Sequence, residues 1–255
     1  MIKIKAKKDI SVLREGGHRH ASILSELADM VKPGVTSSEL NDRAEELIRK
    51  GGDSAAFLNY TPEGAKRPYP ASLCVSVNDE VVHGIPNEGD KVLKEGDVVS
   101  LDLGLVHKGM ITDSAVTVAV GEVNKDLEKL LRMTKEALRA GIKAAKGGKR
   151  VGDISNAIER VGVAGGFGIV EELSGHGVGY HVHEDPYIPN YGDAGMGEVL
   201  KPGMVIAIEP MFNLGTAAIK LMKDGYTYKT ADGKQSAHFE HTVLITKGDA
   251  EILTV

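Results

Sequence analysis

The chain has 255 residues, of which 42% are hydrophobic and 26% charged, with a formal net charge of −5. Such a composition suits a globular protein with a sizeable core; it offers no Lys/Arg block for nucleic acid and no apolar run near the ~20 residues of a membrane span. One cysteine, Cys74, excludes an internal disulfide, and the basic MIKIKAKK start is followed by no apolar stretch, so a reducing cytoplasm is expected rather than secretion.

Ile10, Leu13, Ala21, Leu24, Leu27 and Val31 carry helical spacing over 9–31, and Lys32-Pro33-Gly34 stops it. Thr36-Ser37-Ser38-Glu39 predicts a capping box for a second helix that runs to Gly51-Gly52. Residues 53–70 read as loop, with a turn at Thr61-Pro62-Glu63-Gly64. Strands are predicted over 72–78, 97–106 and 110–120, the last two joined by a hairpin turn at His107-Lys108-Gly109. The second half repeats the order. A helix over about 124–146 breaks at Gly147-Gly148, and Asp153 is placed to cap a helix over about 154–163. Strands follow at about 204–212, 219–222 and 238–246.

One decapeptide shape occurs in both halves: LKEGDVVSLD at 93–102 and LKPGMVIAIE at 200–209. Each is a Gly turn feeding an apolar strand that ends in an acid. The repeat predicts a duplicated α+β chain, with halves of about 1–122 and 123–255 forming one domain around a shared site. An acid on a buried strand is costly unless neutralised, and two of them suggest a shared cation.

Asp102 and Asp113 flank the predicted hairpin turn symmetrically, which puts them opposite each other on one face, with Cβ atoms ~4.5–5.5 Å apart. Two unpaired carboxylates at that distance repel, and a divalent cation removes the conflict. The competing reading is an exposed hairpin with two solvated acids; Val98, Val99, Leu101, Leu103 and Val116 argue for burial instead. Glu209 holds in the second half the place of Asp102 in the first. Glu240 interrupts the apolar HFEHTVLIT, and His176 sits in the Gly-rich SGHGVG. Four carboxylates and one His are too oxygen-rich for a closed structural zinc site. They suit two ions of Mn, Fe, Co or Zn sharing carboxylates and a water.

The order HGIP, LDLG…D, SGHGVG, IEPMF and FEH resembles the type I methionine aminopeptidases, which have the pita-bread (creatinase/aminopeptidase) fold of the M24 metallopeptidases. IEPMF and the lack of a long insertion in the second half favour type I over type II, and no Cys/His-rich arm precedes the first helix. The resemblance spans essentially the whole chain. It implies removal of N-terminal methionine from peptides and nascent proteins, by hydrolysis with a metal-bridging hydroxide. Carried over by motif, it gives Asp102 to one ion, His176 and Glu209 to the other, and makes Asp113 and Glu240 bridges. Glu209 would shuttle the proton, His183 stabilise the oxyanion, and His83 contact the nitrogen of the second residue. Tyr60, Tyr69, Cys74 and Tyr226 would form the methionine pocket, with Phe57 nearby. Val182 and Tyr226 stand where many members carry bulkier aromatics, which predicts a slightly roomier pocket. His181 and His238 alternate with His183 and Glu240, so each is a candidate neighbour of the site. The expected partners are a methionine-starting peptide and, by resemblance only, the ribosome, for a monomer that binds neither nucleic acid nor membrane. An Xaa-Pro-type aminopeptidase of the same fold, a metal-free creatinase-type enzyme and a non-catalytic peptide-binding relative are the alternatives; the last two would lack the ligand set.

Overall fold

The computed structural model describes residues 2–255. The first half runs α1 (Lys7–Met30), α2 (Ser37–Gly51), β1 (Ser54–Ala55), β2 (Leu73–Val77), β3 (Glu80–Val82), β4 (Val98–His107) and β5 (Met110–Ala119). The second opens with α3 (Lys125–Ala144) and α4 (Val151–Gly165), then β6 (Gly168–Ile169), β7 (Ser174–Gly177) and β8 (Glu184–Pro189). It ends with β9 (Val205–Ile208), β10 (Met211–Asn213), β11 (Ile219–Leu221), β12 (Tyr228–Thr230), β13 (Ser236–His238), β14 (His241–Leu244) and β15 (Glu251–Ile252). All strand pairs in the named sheets are antiparallel, and β8 is the edge of a five-stranded sheet ordered β15-β14-β9-β7-β8. The class is α+β, as the element pattern predicted.

The helices bury the stripes their periodicity marks. In α1 these are Leu13, His20, Ile23, Leu24 and Leu27, with Gly16 and Gly17 among them. At Gly17 a Cβ would lie 2.1 Å from the Leu253 carbonyl oxygen, so the chain's last segment crosses α1 where only glycine fits. The capping box of α2 forms as predicted. Glu39 N donates to Thr36 Oγ1 (3.2 Å), Thr36 N donates to Glu39 Oε2 (2.8 Å), and Gly52 ends the helix with a φ of 76°. In α4 the expectation for Asp153 is corrected. The helix starts three residues earlier, and Asp153 is its third residue, accepting from Arg150 N (2.8 Å).

The two decapeptides fold alike. Gly96 and Gly203 take φ of 88° and 93°. Asp97 N donates to Lys94 O, as Met204 N donates to Lys201 O (3.1 and 3.0 Å). Leu93 N donates to Val35 O and Leu200 N to Lys149 O, both at 2.8 Å, tying each turn to the segment between that half's two helices. Leu93 and Leu200 are both buried.

Side chains of β5 and β14 join the halves. Ser114 Oγ donates to Glu240 O (2.7 Å), Thr117 Oγ1 to His238 O (2.7 Å) and Thr242 Oγ1 to Asp113 O (2.7 Å). Glu240 N also donates to Ala115 O (2.9 Å). The predicted strands 204–212 and 238–246 are each broken in two. Glu209-Pro210 separates β9 from β10, and Phe239-Glu240 separates β13 from β14. Proline has no N–H for the ladder, so the chain bends there and each break carries an acid.

Candidate metal centre and catalytic cleft

The β4–β5 hairpin turns at Lys108-Gly109, whose φ of 47° and 80° give the left-handed pair a tight two-residue turn requires. Asp102 pairs with Ala115 and Asp113 with Gly104. The two acids are therefore diagonal rather than opposite, because the turn is centred one residue beyond the expected midpoint. An offset of two residues keeps both on one face. Gly104 makes room beside them: a Cβ there would meet Phe57 Cε1 at 2.6 Å.

Asp102, Asp113, His176, Glu209 and Glu240 line one cavity of about 750 Å³. His83, His183, Tyr60, Tyr69, Cys74, Tyr226 and Phe57 line the same cavity. The five candidate ligands, His83, His183 and the predicted pocket residues Tyr60, Tyr69, Cys74 and Tyr226 therefore meet in one place, drawn from both halves. Donor atoms of Asp113, His176 and Glu240 lie within 4.8 Å of one another. His176 Nε2 is 3.4 Å from Glu209 Oε1 and 3.9 Å from Asp113 Oδ2. Its Nδ1 donates to Gly177 O (3.0 Å), which leaves the Nε2 lone pair facing the carboxylates, as a metal ligand requires.

No Lys or Arg lines the cavity among the described residues. Asp102 Oδ1, Asp113 Oδ1 and Glu240 Oε1 are buried without hydrogen-bond partners there. Burial and mutual repulsion push the carboxyls up. Asp102 is raised to about 7, mainly by desolvation, and Glu209 to about 8 by desolvation. Asp113 and Glu240 lie well above the carboxylate range, through desolvation and then the other acids. Burial lowers His176 to about 3, so its ring is neutral. Orphaned oxygens, a neutral imidazole aimed at them and no protein cation together fit a divalent metal held by mixed O and N donors.

The two further histidines flank this cluster. His83 is held at a φ of 58°, an uncommon backbone state for a non-glycine residue at a site that needs it. Its ring packs edge-on to Tyr228 with centroids 6.1 Å apart, and desolvation lowers it to about 4. His183 sits at the open rim, with Nδ1 2.8 Å from the Tyr60 hydroxyl and its ring 4.5 Å from that of His176. Of the two neighbouring candidates, His181 is exposed and held through its backbone, its N–H donating to Glu184 Oε1 (3.0 Å) and its carbonyl accepting from Gly179 N (3.3 Å). His238 is buried, with Nε2 3.6 Å from Glu209 Oε2.

The pocket walls form their own cluster of Phe57, Tyr69, Ala71, Cys74, Ile85, Val182 and Tyr226, with Tyr60 packed against it. Tyr69 OH donates to Gly84 O (3.0 Å), and Tyr226 OH donates to Arg67 O. Because backbone carbonyls take these hydroxyls, the rings show the cavity apolar faces. Val182 belongs to the cluster but does not line the cavity, so it sets the packing of the wall rather than its surface. Sequence reasoning missed Tyr187 and Tyr228, which also line the cleft; they lie in short strands with no strong pattern.

Comparison with known proteins agrees with this geometry. The description "Metallopeptidase family M24" matches residues 11–247, a span that holds every cleft residue named above. Methionine aminopeptidase 1 of Bacillus subtilis is 44% identical over 254 residues, covering 100% of this chain and 99% of that protein. The methionine aminopeptidase of Aquifex aeolicus is 46% identical, covering 99% and 98%. The crystal structure of the Thermotoga maritima methionine aminopeptidase superposes with a TM-score of 0.95 at 43% identity, covering 100% of this chain and 99% of the other. A prolidase from Pyrococcus horikoshii shares the fold at a TM-score of 0.75 and 24% identity. Matched end to end by such relatives, and with its carboxylates and histidine gathered as a metallopeptidase needs, the chain belongs to metallopeptidase family M24, among the methionine aminopeptidases.

Proposed function

We propose that the protein removes the N-terminal methionine of peptides and newly made proteins, with Asp102, Asp113, His176, Glu209 and Glu240 holding two divalent ions. The observation that carries this reading is the meeting, in one cavity, of that donor set, two neutral histidines and an apolar aromatic pocket. Divalent metal in such a site lowers the pKa of coordinated water and polarises a carbonyl.

The chain's own residues do the rest. Phe57, Tyr60, Tyr69, Cys74 and Tyr226 enclose the methionine side chain; burial keeps the Cys74 thiol neutral, so it packs as a small apolar group. Glu209, ionised once metal is held beside it, would take a proton from water and return it to the leaving nitrogen. With the Tyr60 O–H donating to Nδ1, the His183 proton sits on Nε2 and donates to the carbonyl oxygen as negative charge develops. His83, neutral and fixed by its backbone, contacts the nitrogen of the second residue. The chain acts as one catalytic domain, since both halves supply ligands. The same reading places it in the cytoplasm as a monomer acting where chains leave the ribosome. Its buried single thiol, and the absence of any described helix long and apolar enough to cross a membrane, agree with that location.

The test is methionine release from Met-Ala-Ser, measured before and after chelation and after adding back single metals with metal analysis. Release that survives full chelation, or cleavage of Xaa-Pro peptides in preference to Met-Ala, rejects the proposal.

A further inference from the structure

A second groove, of about 860 Å³, lies beside the catalytic cleft. Tyr187, on the edge strand β8, lines both cavities, so the two adjoin at that side chain. The groove also presents Tyr191, Met196, Val151 and Pro189. Tyr187 is 68% exposed, Met196 63% and Tyr191 40%. Large apolar side chains gathered on one open surface mark a binding site more often than a packing fault.

The groove is held in shape by the chain around it. Gly192 N donates to Glu159 Oε2 and Asn156 Nδ2 donates to Gly192 O, both at 3.0 Å. Gly195 N donates to Asp153 Oδ1 (3.0 Å), and Gly152 N donates to Met196 O (2.9 Å). Asn190, fully buried, donates from Nδ2 to Glu209 O (3.2 Å), tying the start of this loop to the strand break that carries a candidate metal ligand. A groove fixed in advance binds without the entropy cost of ordering a loop.

We infer that this groove receives the downstream part of the peptide substrate, the residues beyond the third, as an extended segment with apolar side chains. The inference rests on the proposed methionine release, which places the peptide's first residues in the neighbouring cleft. A chain leaving that cleft past Tyr187 meets Tyr191 and Met196 next. Occupation of the groove adds affinity for long substrates and leaves the chemistry at the first bond unchanged.

The experiment compares Met-Ala-Ser with an octapeptide that begins with the same three residues and carries Leu and Phe among its last five. The wild type should favour the octapeptide in kcat/KM by roughly fivefold to tenfold, the effect of burying about one to two methylene groups' worth of apolar surface. Tyr191→Ser combined with Met196→Ser should abolish that preference and leave tripeptide turnover and the melting temperature unchanged. Equal kcat/KM for the two lengths in the wild type, or equal loss on both in the variant, overturns the inference. Fluorescence anisotropy of the labelled octapeptide reads the groove apart from chemistry. Binding should weaken about fivefold to tenfold in the double variant by the same burial, and unchanged binding overturns the inference even if no methionine is released. Failure of methionine release from the tripeptide as well, with anisotropy still sensitive to the variant, would count against the proposed reaction and not against the groove.

Discussion

Chelation should leave a protein whose stability falls as pH rises from about 6.5 to 8. A carboxyl whose folded pKa exceeds its unfolded value binds more protons folded than unfolded, so stability is lost as pH climbs towards the folded value. Asp102, at about 7, and Glu209, at about 8, both titrate in this window. The buried histidines act in the opposite direction, mostly at lower pH. His20 and His176, near 3, and His83 and His241, near 4, stay neutral when folded, while an unfolded imidazole still binds protons at the lower edge of the window, so each offsets about 0.4 kcal/mol. Across the window Asp102 and Glu209 together remove roughly 2 kcal/mol, most of which these histidines offset. Asp113 and Glu240, raised further, carry the net loss. For a chain of this size each kcal/mol of net loss lowers the melting temperature by roughly 2–4 °C. Added divalent metal needs the carboxylates ionised, so the metal-loaded protein should gain most at the upper end and the two curves should diverge with pH. Differential scanning calorimetry in chelator and in Mn²⁺ or Co²⁺, at half-unit pH steps, checks it. A chelated melting temperature that is flat or rising over the window would refute the placement of four buried acids around one centre.

Glu209→Gln should lower kcat by roughly two to four orders of magnitude while metal analysis still finds bound ion, and full turnover would remove its proton-shuttle role. His183→Ala should cost on the order of 10²–10³ in kcat with KM little changed, read in steady-state assays. Gly104→Ala sets a Cβ 2.6 Å from Phe57 Cε1, so the ring must leave the pocket wall; stability should drop by about 1–3 kcal/mol, with KM for methionine peptides rising. Thr36→Ala, far from the cleft, should cost about 1 kcal/mol through the α2 cap and leave kcat/KM unchanged, as a melt and an assay together would show.

Much of the site was legible because metal chemistry places acids where burial forbids them. Asp102 and Asp113 on apolar strands, and Glu209 ending a copy of the first strand's sequence, announce a cation before any contact is known. The register of the hairpin was less legible. Lys108 takes a left-handed backbone that nothing in its side chain advertises, and the turn centre moved by one residue. Parity rescued the conclusion, since a two-residue offset returns both acids to the same face. Long strands were drawn through 209–210 and 239–240 because the apolar pattern continues across both breaks; Pro210 marked one, and nothing in sequence marked the other. The short β6, β7 and β8 lay beyond reach for a different reason. Their Gly and Pro residues carry no alternation, and tertiary pairing alone makes them strands. His238 lies beside Glu209 through the packing of two distant strands, which alternation along one strand could suggest but not fix.

Hydroxyl groups of Ser114 and Thr117 on the first half's hairpin donate to backbone carbonyls of the other lobe, and Thr242 of that lobe donates back to Asp113 O, beside the very residues that supply donors to the centre. The covalent link between the lobes, near residues 120–124, lies at the far end of β5 from Asp113. The reactive core is thus tied across the lobes at the site itself, well away from that peptide connection, and a bound ion drawing on both lobes would act as a rivet through the same joint.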